Sequence, residues 1–241
     1  GHAALLRPLR GKRAEDAEQL RNRVRLAARL AEQTREDGRW LPPPLFAALD
    51  AEEEGGAAAK VVEEVLEPYL AAAGSLRDVD VPAVLQESLS SDARNLLDRH
   101  FPARTTAPDG SFIPLSYPRD PDAPPVAAAK LQQFFGAADS PAVGWGGARN
   151  VSVALELTSP AGRTLARTSD LAFFWREVYP GVRAEMRGRY PKHPWPERPT
   201  EASPTRHTKK REAGKDVPQA ETEGDDNKKK KKKGRRKKGK R

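Results

Sequence analysis

The period of the apolar positions changes along the chain, and the changes mark out its elements. Over residues 15–36 Leu20, Val24, Ala27 or Ala28 and Ala31 share one side, which predicts an amphipathic helix. Gly38 suits its C-terminal stop, Trp40 and Leu41 are expected to re-enter the core, and Pro42 to Pro44 form a stiff link into LFAALD. AEEEGGAAA is expected to loop out. In KVVEEVLEPYLAAAG, Val62, Leu66, Tyr69 and Leu70 recur at helical spacing, with a break or bend at Pro68 and a stop at Gly74. Asp80 reads as an N-cap with Pro82 in the first turn, and Ser91 or Asp92 as the start of ARNLLDRHF. Residues 15–102 thus predict four or five short helices whose Ala-rich turns bury little area each.

From Pro108 the period shortens. SFIPLSYP puts Ile113, Leu115 and Tyr117 on one face, and Pro114, which has no N–H, predicts a sheet edge or a bulge. VAAAKLQQFFG reads as a helix with Val126, Lys130 or Leu131 and Phe134 on one side, ended by Gly136. GWGGARN reads as a flexible turn. VSVALELT alternates, and SPAG followed by RTLART predicts a β-hairpin.

That hairpin feeds SDLAFFWREVYPGVRAEMRGRYPKHPW, residues 169–195, which hold six of the fifteen Phe, Trp and Tyr residues. Ser169 or Asp170 caps a helix with Leu171, Phe174, Trp175 and Val178 as its apolar stripe. Pro180 predicts a corner at Tyr179–Gly181 and then a second helix with Val182 and Met186 inside. Arg183 and Arg187 stand four apart on that helix, with Arg189, Lys192 and His193 close behind. Pro191, Pro194 and Pro196 force an extended exit, and Trp195 is expected to tuck back. Arg183, Arg187, Arg189 and Lys192 are candidate phosphate contacts. The competing reading is a solvated face whose Arg stems cover the aromatics.

Charge sharpens this division. Of the 43 basic residues, 17 lie in residues 206–241 with only 6 of the 34 acids, so the body is near −2 and the tail near +11. The pI of 9.8 therefore describes the tail. Lys228, Lys229, Lys230, Lys231, Lys232, Lys233, Arg235 and Arg236 form a polyanion-binding run with little base discrimination, or an import signal, or an inert solvated tail. On α-helix 15–36 Arg21, Arg25 and Arg29 form a row between Glu18 and Glu32, where intrahelical pairing is favoured over RNA contact.

Candidate catalysis does not emerge. There is no Cys, the four His are scattered, and neither GxxxxGK[ST] nor GxSxG occurs. No metal site, cofactor site or active site is expected, and no apolar run reaches membrane-spanning length. GHAALLRPLRGKR looks like the end of a preceding unit rather than a signal peptide. The expected organisation is a preceding unit to 14, a helical region over 15–105, an α+β module over 106–199 and a disordered basic tail over 200–241. The fold class is α+β, with a β-hairpin, an edge strand and aromatic-rich helices.

The run LTSPAGRTLARTSDLAFFWREVYPGVRAEMRGRYPKHPWPERP, with FIPLSYP and AAAKLQQFFG before it and PTRHTK after it, resembles the C-terminal domain of the HrpB-type, DExH/DEAH-box ATP-dependent helicases. VLEPYLA resembles the region just before that domain. The resemblance implies a parent that uses ATP and Mg, through upstream RecA-like domains, to remodel RNA or other nucleic acid. None of the motifs for ATP has a counterpart in these residues. It implies an accessory role, supporting the helicase core and contacting nucleic acid. The other reading is a protein-interaction module with a basic targeting tail. Bacterial relatives imply the cytoplasm, whereas the Lys run would also suit a nucleus or a plastid.

Overall fold

The computed structural model describes residues 11–32, 41–50, 57–73, 78–208 and 210–211. Gly38, Trp40, all of AEEEGG, Gly74, the first ten residues and the Lys run lie outside them.

Helices come first: α1 (Lys12–Glu32), α2 (Pro44–Asp50), α3 (Ala57–Ala73), α4 (Val81–Glu87) and α5 (Ser91–His100). Helix α1 buries Leu20, Val24, Ala27 and Ala31 as its spacing predicts, but also Arg21, Asn22 and Arg23, because other elements wrap more than one of its faces. Leu41 does not re-enter the core and is 66% exposed. Helix α3 runs through Pro68 without a break. Pro68 and Glu64 are on the solvent side, so water can solvate the Glu64 carbonyl that loses its intrahelical donor. Asp80 caps α4 by accepting from the Ala83 N–H at 3.3 Å. The cap of α5 is Ser90, one residue earlier than expected, accepting from the Ala93 N–H at 3.1 Å.

A five-stranded sheet follows, in the order β1 (Arg104–Thr106), β2 (Phe112–Ser116), β3 (Val126–Lys130), β6 (Ala154–Thr158) and β7 (Thr164–Thr168). Strand β2 alternates as predicted, with Ile113 and Leu115 inward. It is not an edge strand, since β1 and β3 flank it. The Leu115 N–H bonds to Ala103 on the β1 side at 3.0 Å, so the donor missing from Pro114 faces β3. The ladder with β3 ends at Leu115, one residue short of the proline.

The largest departure is VAAAK, which is strand β3 rather than a helix; only Leu131–Phe134 turns helically, as one short 3-10 segment. Alanine favours helices, but β3 lies between β2 and a parallel partner, β6, and Ala127 and Ala129 supply the small inward positions there. VSVALELT is divided at Val153. Its first part, β5 (Asn150–Ser152), pairs with β4 (Ala142–Gly144) in a separate ribbon, and β6 continues the main sheet. The GWGGARN turn is therefore an ordered hairpin end. A Cβ on Gly144 would lie 2.1 Å from the Arg149 carbonyl oxygen, so the two backbones approach closely only because this residue is glycine. The β6–β7 hairpin forms as predicted.

Helices and sheet share one apolar cluster extending from Ala17 to Trp195. Polar bonds fasten the layers. Asn22 Nδ2 donates to the Tyr117 carbonyl at 2.8 Å, and Gln19 Oε1 accepts from the Tyr117 N–H at 2.7 Å. Arg23 Nε donates to the Phe101 carbonyl at 2.7 Å, and Trp145 Nε1 to the Ala27 carbonyl at 2.9 Å. Packing continues beyond Pro199: Thr205 is buried and its N–H bonds to the Gln132 carbonyl at 2.9 Å. The protein is α+β, and among the described residues no helix is long and apolar enough to cross a membrane.

Candidate nucleic-acid interface

The basic edge depends on how the aromatic helix is wound. Asp170 Oδ1 accepts from the Phe173 N–H at 2.8 Å and starts α6 (Leu171–Phe173). One π turn, Phe174–Val178, follows, in which the Tyr179 N–H reaches the Phe174 carbonyl. The chain then continues into α7 (Tyr179–Arg189) without the predicted corner. The extra residue in the wide turn rotates Val178 outward, to 38% exposure, and brings Tyr179 into the core at 1%. It also relieves the clash that Pro180 would make with the preceding turn of a regular helix. Trp175 and Tyr179 pack edge-on at 5.2 Å between ring centroids, and Phe135 meets Tyr179 at 6.2 Å. Burial raises the pKa of the Tyr179 hydroxyl, which stays protonated and donates to the Pro196 carbonyl at 2.9 Å.

That platform aims α7 outward with Met186 and, in part, Val182 beneath it. Its cations do not behave alike. Arg183 is a structural clamp: Nε donates to the Trp195 carbonyl at 3.0 Å and Nη2 to Glu197 at 2.8 Å. Arg189 is exposed and pairs with Glu185 at 3.3 Å. Arg187 and Lys192 are exposed and have no ion-pair partner among the described residues. Trp195 tucks back as expected, its Nε1 donating to the Tyr190 carbonyl at 3.0 Å. Lys228, Lys229, Lys230, Lys231, Lys232, Lys233, Arg235 and Arg236 lie outside the described residues.

The arginine row of α1 is accounted for by acids, chiefly on other elements rather than on its own helix. Arg21 and Arg25 both bond Asp50, Arg21 at 2.7 Å, and Arg29 meets Asp122 at 3.1 Å. Glu18 is a more distant companion of Arg21 at 3.9 Å and of Arg25 at 3.8 Å.

His193 lies within the exit loop. Burial, then the nearby charge of Lys130, lowers its pKa against an opposing bond with the His207 backbone. Lys130, read from sequence as part of a helix, is thereby placed near the loop that carries Lys192. No residue pattern signals its strand, because Ala127, Ala128 and Ala129 are identical and differ only in burial. Among the described residues no group of three or more His, Cys, Asp or Glu is arranged to hold a metal. The Gly-rich loop around Gly146 closes a hairpin and leads into β5, not into a helix N-terminus, so these residues do not fit a nucleotide's phosphates.

The family described as ATP-dependent helicase C-terminal matches residues 65–199. The chain is 38% identical over 218 residues to the ATP-dependent RNA helicase HrpB of Escherichia coli strain K12, covering 87% of this chain and 25% of that protein. The crystal structure of the E. coli DExH-box NTPase HrpB superposes with a TM-score of 0.62 at 36% identity, over 80% of this chain and 22% of that one. A crystal structure of the E. coli DEAH/RHA helicase HrpB gives 0.51 at 33% identity, over 75% and 21%. The chain spans about a quarter of the length of the curated relative it matches. With more than half of its residues inside the family match and the fold shared, the chain belongs to the HrpB-type ATP-dependent helicase C-terminal family.

Proposed function

We propose that this chain is the C-terminal accessory region of an HrpB-type ATP-dependent RNA helicase, supporting upstream RecA-like domains and contacting nucleic acid along the edge after α7. ATP and Mg are assigned to those upstream domains by the helicase relative, and the described Gly146 loop leads into a strand rather than a phosphate cradle. The bacterial source of the relatives favours a cytoplasmic address over a nuclear or plastid one. The observation that carries the reading is the pair Arg187 and Lys192, exposed and without an ion-pair partner among the described residues, on a body whose α1 arginines are matched by carboxylates. Cations left unpaired in this way suit phosphates, whose counterions they release.

A salt-titrated binding assay with fluorescent single-stranded RNA tests it, using residues 1–241 and 1–211. The cut follows Arg211 because Thr205 is part of the packed fold. If the whole tail engages about 12 phosphates, the log–log salt slope of the longer chain is about −8. The shorter chain is expected to bind more weakly, with a shallower slope that Arg187→Glu and Lys192→Glu reduce further. No binding by residues 1–211 at low salt would remove the folded edge from the nucleic-acid path.

A further inference from the structure

The outer face of the five-stranded sheet carries an aromatic ring that the core does not use. Ile113 and Leu115 face inward, so Phe112 and Pro114 face out, and Phe112 is 67% exposed. The guanidinium of Arg104 lies over one side of its ring, 5.2 Å from the centroid. On β3 the inward positions are Ala127 and Ala129, which puts Lys130 on this outer face as well. Continuing the β2–β3 register past its last pair, Leu115 with Ala127, sets Phe112 across from Lys130.

A polar network fixes the same neighbourhood independently. Gln133 accepts from the Lys130 N–H at 3.0 Å and donates to Ser111 Oγ at 2.6 Å and to Asp109 at 3.3 Å. The Asp109 carboxylate is opposed by burial, which raises its pKa, yet bonds from Ser111 and Gln133 and the charge of Arg206 lower it overall. Arg206 therefore stands close by, on the segment that Thr205 pins to Gln132. Gln132 in turn donates through Nε2 to the Pro194 carbonyl at 2.8 Å, tying in the loop that carries Lys192. Lys130 thus lies on the strand beside Phe112, Arg206 acts on Asp109 next to Ser111, and the loop of Lys192 is tied to the adjoining Gln132; none of these cations is in an ion pair among the described residues.

A cationic surface around an exposed ring matches what a single nucleic-acid strand requires, since phosphates follow the charges while a base stacks on the aromatic face. We infer that Phe112, backed by Arg104, is a base-stacking platform and that Lys130, Arg206 and Lys192 guide the strand's phosphates past it. This rests on the reading that the chain contacts nucleic acid, and it adds a second surface to the α7 edge. The other acid on this face, Glu156, accepts from Thr164 Oγ1 at 2.6 Å and lies opposite Arg167, away from the Phe112 row.

The test uses the full chain, residues 1–241, with oligouridylate and with heparin as a polyanion that has no bases. Phe112→Ala is expected to weaken oligouridylate binding about tenfold without changing the salt slope, because stacking releases no counterions. Heparin binding should be unaltered, and Phe112→Trp should restore the RNA affinity. Lys130→Gln and Arg206→Gln should each make the slope about 0.7 less negative. Wild-type affinity of Phe112→Ala for oligouridylate overturns the platform, while the α7 reading then still stands on its Arg187 and Lys192 variants. Equal losses for heparin and RNA also overturn it, as they would show a generic polyanion surface. If the wild-type chain fails to bind oligouridylate at all, both readings fall.

Discussion

Arg183 Nε donates to the main-chain oxygen of Trp195 at 3.0 Å, closing the exit loop back onto α7, and the same guanidinium reaches Glu197. A charged donor to a part-buried carbonyl stabilises the turn more than a solvated ion pair would. Arg183→Ala is therefore expected to cost about 1–2 kcal/mol in urea unfolding while leaving the RNA affinity of the folded protein within about twofold. Arg187→Ala should do the reverse, changing stability by no more than about 0.5 kcal/mol and making the RNA salt slope about 0.7 less negative. A stable Arg183→Ala protein with strongly reduced RNA affinity would contradict this division of labour.

The π turn exchanges the roles of two adjacent residues. Val178→Ala removes a side chain that faces solvent and is expected to cost under about 0.5 kcal/mol. Tyr179→Ala empties a position against Trp175, Phe174 and Phe135 and should cost about 3–5 kcal/mol. Tyr179→Phe keeps the ring but leaves the Pro196 carbonyl without its donor, at about 1 kcal/mol. Denaturant midpoints at constant slope would decide; comparable losses for Val178→Ala and Tyr179→Ala would mean a regular helix in solution.

Trp145 links the β4–β5 ribbon to α1. Its indole donates to Ala27 and its ring lies 5.1 Å from those of His100 and Phe101. Trp145→Phe, which retains the packing and removes the donor, should cost about 1 kcal/mol and speed hydrogen exchange in the C-terminal half of α1. Exchange that accelerates uniformly over the whole chain would argue against a local link.

His193 gives the fold an acid sensitivity of known sign. Its pKa is lowered, by burial first and the Lys130 charge second, so the unfolded chain takes up a proton at this site more readily than the folded one. Its contribution to stability is complete above the ordinary histidine pKa of about 6.5 and is lost as pH falls from there through the lower folded value. Unfolding free energies measured between pH 5 and pH 8 should decline toward acid, and His193→Gln should flatten that decline. An unchanged profile in the variant would assign the acid sensitivity to other groups.

Several features were legible in the sequence because bonds within a few residues decide them. The stripe of Leu20, Val24, Ala27 and Ala31, the caps at Asp80 and Asp170, the β6–β7 hairpin and the return of Trp195 all follow from local spacing and local donors. The long run of rare residue types from Leu157 to Pro199 was enough to indicate the family. Other features depend on partners far along the chain. VAAAK has the propensity of a helix, and only its place between β2 and the parallel strand β6 makes it extended, with nonlocal pairing prevailing over intrinsic preference. Pro114 could be interior to the sheet because the ladder with β3 stops short of it. Arg183 and Arg187 were equivalent as a sequence pair four apart, yet one bonds residues 12 and 14 positions on and the other has no partner among the described residues. Likewise Arg21 meets an acid 29 residues away and Arg29 one 93 residues away. The sequence by itself determined the helical periods, the caps, the hairpin and the family. The tertiary structure decided which cations are spent on the fold and which face solvent, because that depends on what the chain brings back from a distance.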